Sequence, residues 1–169
     1  MKDILIVSAT LRNNYTLANQ LKDLLDDMGV SPAVISLENF ILPLYTDDVF
    51  DKEKENYKET IESLTKLFID NDGLIICAPE YNGSSPPILN NAIAWISTTT
   101  DYWRDAFKDK TALIATSSGG SGTKFAATIK TQLEHLGCTA ISDLISANSS
   151  HPLDRDSAKK ILQKFISLL

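Results

Sequence analysis

Short apolar runs recur along the chain at residues 4–7, 33–35, 74–78 and 112–115, and each is followed by a stretch in which apolar positions return every three or four residues. The first run therefore predicts a buried strand and the stretch behind it an amphipathic helix, a pattern that repeats as βαβα. In the first helical stretch Leu17, Leu21, Leu24, Leu25 and Met28 form one apolar face, and Gly29 is a natural stop. A second helix is expected over residues 51–69, where Ile61, Leu64, Leu67 and Phe68 make the buried stripe and Lys and Glu fill the other face. Pro87 suits the first turn of a third helix carrying Ile88, Leu89, Ala92, Ile93 and Ile96. A fourth follows Gly122, continues to His135 and is ended by Gly137. After a weak strand over 139–144, a last helix spans 154–169 on Ala158, Ile161, Leu162, Phe165, Ile166 and Leu169, with Asp154 as its cap.

Five strands alternating with five helices predict an α/β fold in three layers: a five-stranded parallel sheet with helices on both faces. Residues 1–169 fit one domain, and there is no internal repeat, linker or low-complexity tract. In such sheets ligands bind beyond the carboxyl ends of the strands, where the strand order reverses, so the segments just after each strand carry the functional information.

Composition narrows the classes of partner. An apolar share of 43% and a charged share of 22% suit a water-soluble globular chain, and no stretch approaches the roughly 20 apolar residues of a membrane span. The segment from Met1 to Ser8 reads as a first strand and not a signal peptide, so a cytoplasmic protein is expected. Sixteen basic against 22 acidic residues give a net charge of −6, which opposes broad attraction to nucleic acid or anionic lipid, and any bound anion must be held by a local site. Cys77 lies in an apolar run and Cys138 far from it, with neither CxxC spacing nor a nearby His. Both are expected to be reduced, buried thiols, and no metal site is expected.

Three post-strand loops stand out. The first, residues 8–16, runs into the first helix with hydroxyls at Ser8, Thr10 and Thr16, backbone amides and the guanidinium of Arg12. That chemistry suits a phosphate at a helix N-terminus; the plain alternative is that Asn14 or Thr16 merely caps the helix and Arg12 is a surface residue. The second, residues 79–87, is stiffened by Pro79, Pro86 and Pro87, offers the ring of Tyr81, and carries amides around Glu80 to Asn82 that could address a planar heteroaromatic ring. Its plain alternative is a tight connection turning at Gly83. The third, residues 116–122, has three glycines in four positions, at 119, 120 and 122, which lets a flat ligand approach the main chain. It lacks the GxxxxGK[ST] spacing of a P-loop, although Lys124 follows Gly122 closely.

From Pro79 to Ser97 the chain reads PEYNGSSPPILNNAIAWIS, which closely resembles the PEYNgsxPgxLKNAIDWxS pattern of the NADPH-dependent FMN reductase family. The first loop resembles that family's GSxR phosphate loop, Leu42-Pro43-Leu44-Tyr45 with Asp47 and Asp48 its LPxYxxD segment, and Ser117-Ser118-Gly119-Gly120 its glycine-rich loop. The resemblance covers nearly the whole chain. It implies a flavodoxin-like fold with Arg12 and the groups of Ser8, Thr10, Asn14, Tyr15 and Thr16 around the FMN phosphate. It further implies Pro79, Glu80, Tyr81, Asn82 and Gly83 framing the isoalloxazine, and Ser117, Gly119 and Gly120 along its other edge. A homodimer or homotetramer with flavin sites near the subunit interface is also implied, with Trp95, Tyr102 and Trp103 as aromatic candidates for that interface. Departures from the pattern are Ala9 and Thr10 for Gly-Ser, and Pro87, Asn90 and Ala94 for Gly, Lys and Asp. The last two remove an ion pair from one helical turn.

By that resemblance the activity is ping-pong hydride transfer from NAD(P)H to FMN and on to a small-molecule electron acceptor such as a flavin, quinone or azo compound. The flavin carries the chemistry, so no side chain is assigned as acid, base or nucleophile, and His135 and His151 lie outside the three loops. No residue assigns NADH against NADPH. Two other readings remain at this stage: a flavodoxin-like electron carrier without NAD(P)H turnover, and a flavin-free scaffold motivated by the altered first loop.

Overall fold

A computed structural model describes residues 3–169; Met1 and Lys2, read with the first strand, lie outside them. Five strands form one parallel sheet: β1 (Ile4–Ser8), β2 (Ala33–Ser36), β3 (Gly73–Cys77), β4 (Thr111–Ser117) and β5 (Thr139–Ala147), in the order β2-β1-β3-β4-β5. Every residue of β1 and β3 is buried, because helices cover both faces and alternate side chains enter different layers. Ile4 and Ile6 pack with Leu17, Leu21 and Leu25 of α1 (Asn13–Asp26) and with Leu162 and Phe165 of α6 (Arg155–Ser167). Leu5 and Val7 face the opposite layer, with Phe68 of α3 (Lys58–Ile69), Ile96 of α4 (Pro87–Thr99) and Ile129 of α5 (Thr123–His135).

Strand order 2-1-3-4-5 is that of the flavodoxin-like fold, and the chain reverses direction across the sheet between β1 and β3. The loops after those two strands diverge and open a crevice at the carboxyl end. Pro87 begins α4 and Asp154 caps α6 by accepting the amides of Asp156 and Ser157, as expected from sequence.

Two expectations require correction. The helix expected over 51–69 is two helices, α2 (Asp47–Glu53) and α3. Thr46 caps α2 through the Val49 amide, and the Asn56 side chain returns to the Glu53 carboxylate at 2.9 Å, closing a turn between them. No apolar residue from 51 to 56 extends the Ile61-Leu64-Phe68 stripe, so nothing on that stretch holds it to the α3 axis. The last strand is longer than expected. Its pairing with β4 slips from Ala112↔Ala140 to Ile114↔Leu144, so two extra residues of β5 break the alternation of its side chains.

Candidate functional site

The first loop leaves β1 pinned to β3, the Ala9 amide donating to the Cys77 carbonyl at 2.9 Å. Ser8 is fully buried and donates its hydroxyl to the Thr10 carbonyl at 2.7 Å, which shapes the turn and takes Ser8 out of reach of a ligand. α1 starts at Asn13 with Arg12 at its N-cap position, and no side chain caps it. Neither Asn14 nor Thr16 does so; Thr16 lies on the exposed surface of the first turn, and the Tyr15 carbonyl accepts from Asn19. The amides of Tyr15 and Thr16 donate to the Arg12 carbonyl at 2.9 and 3.1 Å, which leaves those of Asn13 and Asn14 at the helix start as the donors for an anion.

Asn14 is 2% exposed and makes a paired contact to one residue of the third loop, its Nδ2 donating to the Ser117 carbonyl at 2.9 Å and its Oδ1 accepting the Ser117 amide at 2.8 Å. It is a brace between loops.

The second loop ends in a two-residue turn in which Tyr81 and Ser84 exchange both main-chain hydrogen bonds at 3.0 Å. Asn82 (φ 53°) and Gly83 (φ 73°) both occupy the left-handed region that such a turn requires, the preference that makes Asn-Gly a turn pair. These two residues build the turn and do not line the cleft, while Tyr81 is carried to the lip, 49% exposed. Asn90, which departs from the family pattern, accepts the Ser85 hydroxyl at 3.1 Å and ties the loop to α4.

Loops two and three are joined by a directional chain of hydrogen bonds. The Thr116 hydroxyl donates to the Ala78 carbonyl at 2.7 Å, so the Ser118 hydroxyl, 2.7 Å from Thr116 Oγ1, must donate to it. Ser118 Oγ in turn accepts the Glu80 amide at 2.8 Å. The Glu80 carboxylate accepts the amides of Lys124 and Phe125 at the start of α5, both at 3.1 Å.

Between the loops lies a cleft of about 460 Å³. Thr10, Arg12 and Asn14 line it from the first loop, Pro79, Glu80 and Tyr81 from the second, and Ser117 and Gly119 from the third. A side chain at Gly119 would meet open space, which fits a loop that stands back from a bulky ligand. Ser8, Tyr15, Thr16, Asn82, Gly83 and Gly120 are not among its lining residues. Asn13 and Ser118, members of the first and third loops that were not given as ligands, are, and so is Glu38, which lies in none of the three loops. Glu38 sits in a single turn of 3₁₀ helix after β2 (Leu37–Asn39), and its carboxylate accepts the Leu11 amide. A carboxylate oxygen thus occupies the Leu11 N–H, a first-loop residue that does not line the cleft. Arg12 is exposed and enters none of the ion pairs among the described residues. Burial pushes the Cys77 thiol up, which makes it a poor nucleophile although it lies just below the first loop. Among the described residues no group of three His, Cys, Asp or Glu could hold a metal ion.

The expected interface aromatics separate. Trp95 is fully buried, its indole N–H donating to the Pro43 carbonyl at 2.8 Å, so it cannot face another subunit. Tyr102 and Trp103 are exposed, with the Arg104 guanidinium 4.3 Å from the Trp103 ring centre and His135 tilted against that ring at 5.3 Å.

Comparison with known proteins gives the same picture from outside. Residues 2–151 match the family described as NADPH-dependent FMN reductase. A quinone reductase of Escherichia coli K12 is 40% identical over 79 residues, 47% of this chain and 39% of that protein. A 2-hydroxy-1,4-benzoquinone reductase of a Burkholderia species is 35% identical over 108 residues, 63% of this chain and 53% of that protein. The matched stretch therefore spans about half or less of these curated relatives. Among solved structures, the NAD(P)H:(acceptor) oxidoreductase FerB of Paracoccus denitrificans superposes with a TM-score of 0.77 at 22% identity, over 99% of this chain and 97% of its own.

Proposed function

The chain belongs to the NADPH-dependent FMN reductase family, and from that premise we propose that it binds FMN in the cleft and uses it to carry electrons from NAD(P)H to a small-molecule acceptor of the flavin, quinone or azo class. The observation that carries this reading is the coincidence, in one cleft at the β1/β3 switch point, of an uncapped α1 N-terminus beside an unpaired Arg12 with a rigid main-chain wall at Pro79 to Tyr81. The first half suits a phosphate; the second suits the edge of a planar ring.

Bound FMN would supply hydride acceptance and donation. Arg12 and the amides of Asn13 and Asn14 would hold its phosphate, with the Thr10 hydroxyl as a further donor. The main chain at Pro79, Glu80 and Tyr81 would face the ring, and Ser117 and Gly119 would line the other edge. Ser8, Tyr15, Thr16, Asn82, Gly83 and Gly120 then act through loop shape. Tyr81, exposed at the lip, would stack on a substrate ring entering above the flavin. No side chain is assigned as acid, base or nucleophile. The residues belong to one domain acting in the cytoplasm, where NAD(P)H is available. It would act as a homodimer or homotetramer, a reading supported by the exposed side chains of Ile41 (81%), Leu44 (74%), Tyr102 and Trp103.

The test is an anaerobic absorbance titration of the purified protein with FMN and then NADPH. Saturable binding followed by bleaching of the flavin band is expected. Binding without bleaching would leave an electron carrier, and no binding a flavin-free member of the family.

A further inference from the structure

Glu80 is the only acidic side chain in the second loop, and its carboxylate is engaged by the main chain of α5. Its Oε2 accepts two main-chain amides from a segment 44 and 45 residues on, at Lys124 and Phe125. Those are orphan donors of the first turn of α5, which no side chain of α5 caps. The reason lies one residue earlier. Gly122 occupies the N-cap position with φ 69°, and a Cβ there would collide with the Thr116 side chain, so a capping Ser, Thr or Asp is excluded. The cap must come from another segment, and Glu80 supplies it with a charge that also suits the positive end of the helix.

The same residue anchors the other side of the gap. Its amide begins the relay through the Ser118 and Thr116 hydroxyls to the Ala78 carbonyl. One residue of the second loop is thus tied by its main chain to the body of the third loop and by its side chain to that loop's exit.

We infer that Glu80 is a positioning residue for the electron-transfer site: its carboxylate acts through α5 and the third loop to fix the spacing of the two cleft walls, and its main chain, not its carboxylate, addresses the bound ring. The functional half of this inference rests on the FMN reading given above; the coupling of the two loops does not.

The experiment compares wild type with Glu80→Ala and Glu80→Gln, first without flavin and then with FMN. In the flavin-free Glu80→Ala protein the amides of Lys124 and Phe125 exchange with deuterium about tenfold faster, the increase extends to Ser118 and Tyr81 across the gap, and Tm falls by about 2–6 °C. With FMN, Kd rises about tenfold and both the visible band and the midpoint potential of the bound flavin shift. Glu80→Gln keeps an acceptor oxygen and restores most of each property. Unchanged exchange at Lys124 and Phe125 would overturn the cap. Faster exchange confined to α5 would overturn the coupling. Faster exchange with unaltered FMN affinity, spectrum and potential would reduce Glu80 to scaffold, and weaker FMN binding with unaltered exchange would make the carboxylate a direct ligand. If wild type binds no FMN, the flavin reading fails by itself, and the exchange pattern still decides the coupling. Glu80→Asp, one methylene short of the amides, serves the same comparison should the alanine protein not fold.

Discussion

The two ends of the sheet are both closed by side chains that reach another segment's main chain, but one end is sealed and the other held open. At the amino end Lys110, 8% exposed, donates to the carbonyls of Ile69 and Asn71 just past α3, and Thr111 donates to Leu168 at the end of α6. Gly73 there lies so close to Leu169 and Phe165 that a Cβ would sit 2.7 and 2.8 Å from their side chains. At the carboxyl end Asn14, Glu80 and Ser118 span the loops and leave the cleft between them. The difference follows from topology. In a parallel βαβ sheet each crossover helix presents carbonyls to the amino end and amides to the carboxyl end. A cation therefore serves to close the first. At the second, Glu80 fills the α5 terminus while the α1 terminus is left for a ligand.

This contrast predicts that the ends fail independently. Lys110→Met removes the donor from two part-buried carbonyls while keeping the aliphatic stem, and hydrogen bonds to a charged group contribute about 1.5–3 kcal/mol each. A loss of about 3 kcal/mol is expected, a Tm lower by roughly 6–12 °C by calorimetry. The FMN affinity of the folded protein, measured well below that Tm, should stay within about twofold. A parallel loss of affinity would mean that the amino end helps to set the cleft.

Arg12→Ala is the reverse case. Losing one charge-assisted contact to a phosphate costs about 2 kcal/mol, a roughly thirtyfold rise in the Kd for FMN followed by quenching of flavin fluorescence. Riboflavin, which has no phosphate, should bind both proteins equally, and the flavin-free Tm should move by less than about 1 °C because Arg12 is exposed and outside every ion pair among the described residues. Equal losses for FMN and riboflavin would remove Arg12 from the phosphate.

How much of this the chain declares beforehand differs by region for physical reasons. Strands buried on both faces are continuous apolar runs, so β1, β3 and β4 are plain, and their order along the chain brings three loops to one end. What sequence hides is which polar atoms in those loops face each other. Asn14 reads equally as a cap, a ligand or a brace until Ser117 is placed opposite it. Glu80 falls within a motif, but its partners lie beyond a glycine whose conformation is not written in its neighbours. Glu38 carries no motif, yet it follows a strand end as the other loops do, and that position was the available signal. Trp95, expected at an interface, is buried with Ala92 and Ile96, and its three-residue spacing from Ala92 was the available signal for the core. The extra residues in β5 erased the period by which a strand is read.

The smallest effect expected places one thiol at each end. Cys138 immediately precedes β5 at the amino end and donates to the Phe107 carbonyl; Cys77 closes β3 at the carboxyl end. Burial lifts the Cys138 thiol from the ordinary 9.0 to about 12, with nearby Lys110 opposing the rise, and burial alone lifts Cys77. An acid whose folded pKa is raised contributes stability below its unfolded pKa and loses it as pH climbs toward the folded value, so each thiol removes stability above pH 9. Lys110 acts the other way. Burial lowers its pKa from 10.5, so the unfolded chain binds more protons between that lowered value and 10.5 and stability rises there. Two falling contributions against one rising contribution leave stability lower at pH 9.5 than at pH 8, read from urea midpoints. Cys77→Ala and Cys138→Ala should each lower the starting stability and make its decline with pH shallower. Lys110→Met should make that decline steeper by removing the opposing contribution. If Cys138→Ala alone changes the slope, the thiol at the carboxyl end meets solvent through the cleft, and the open end is looser than its braces imply.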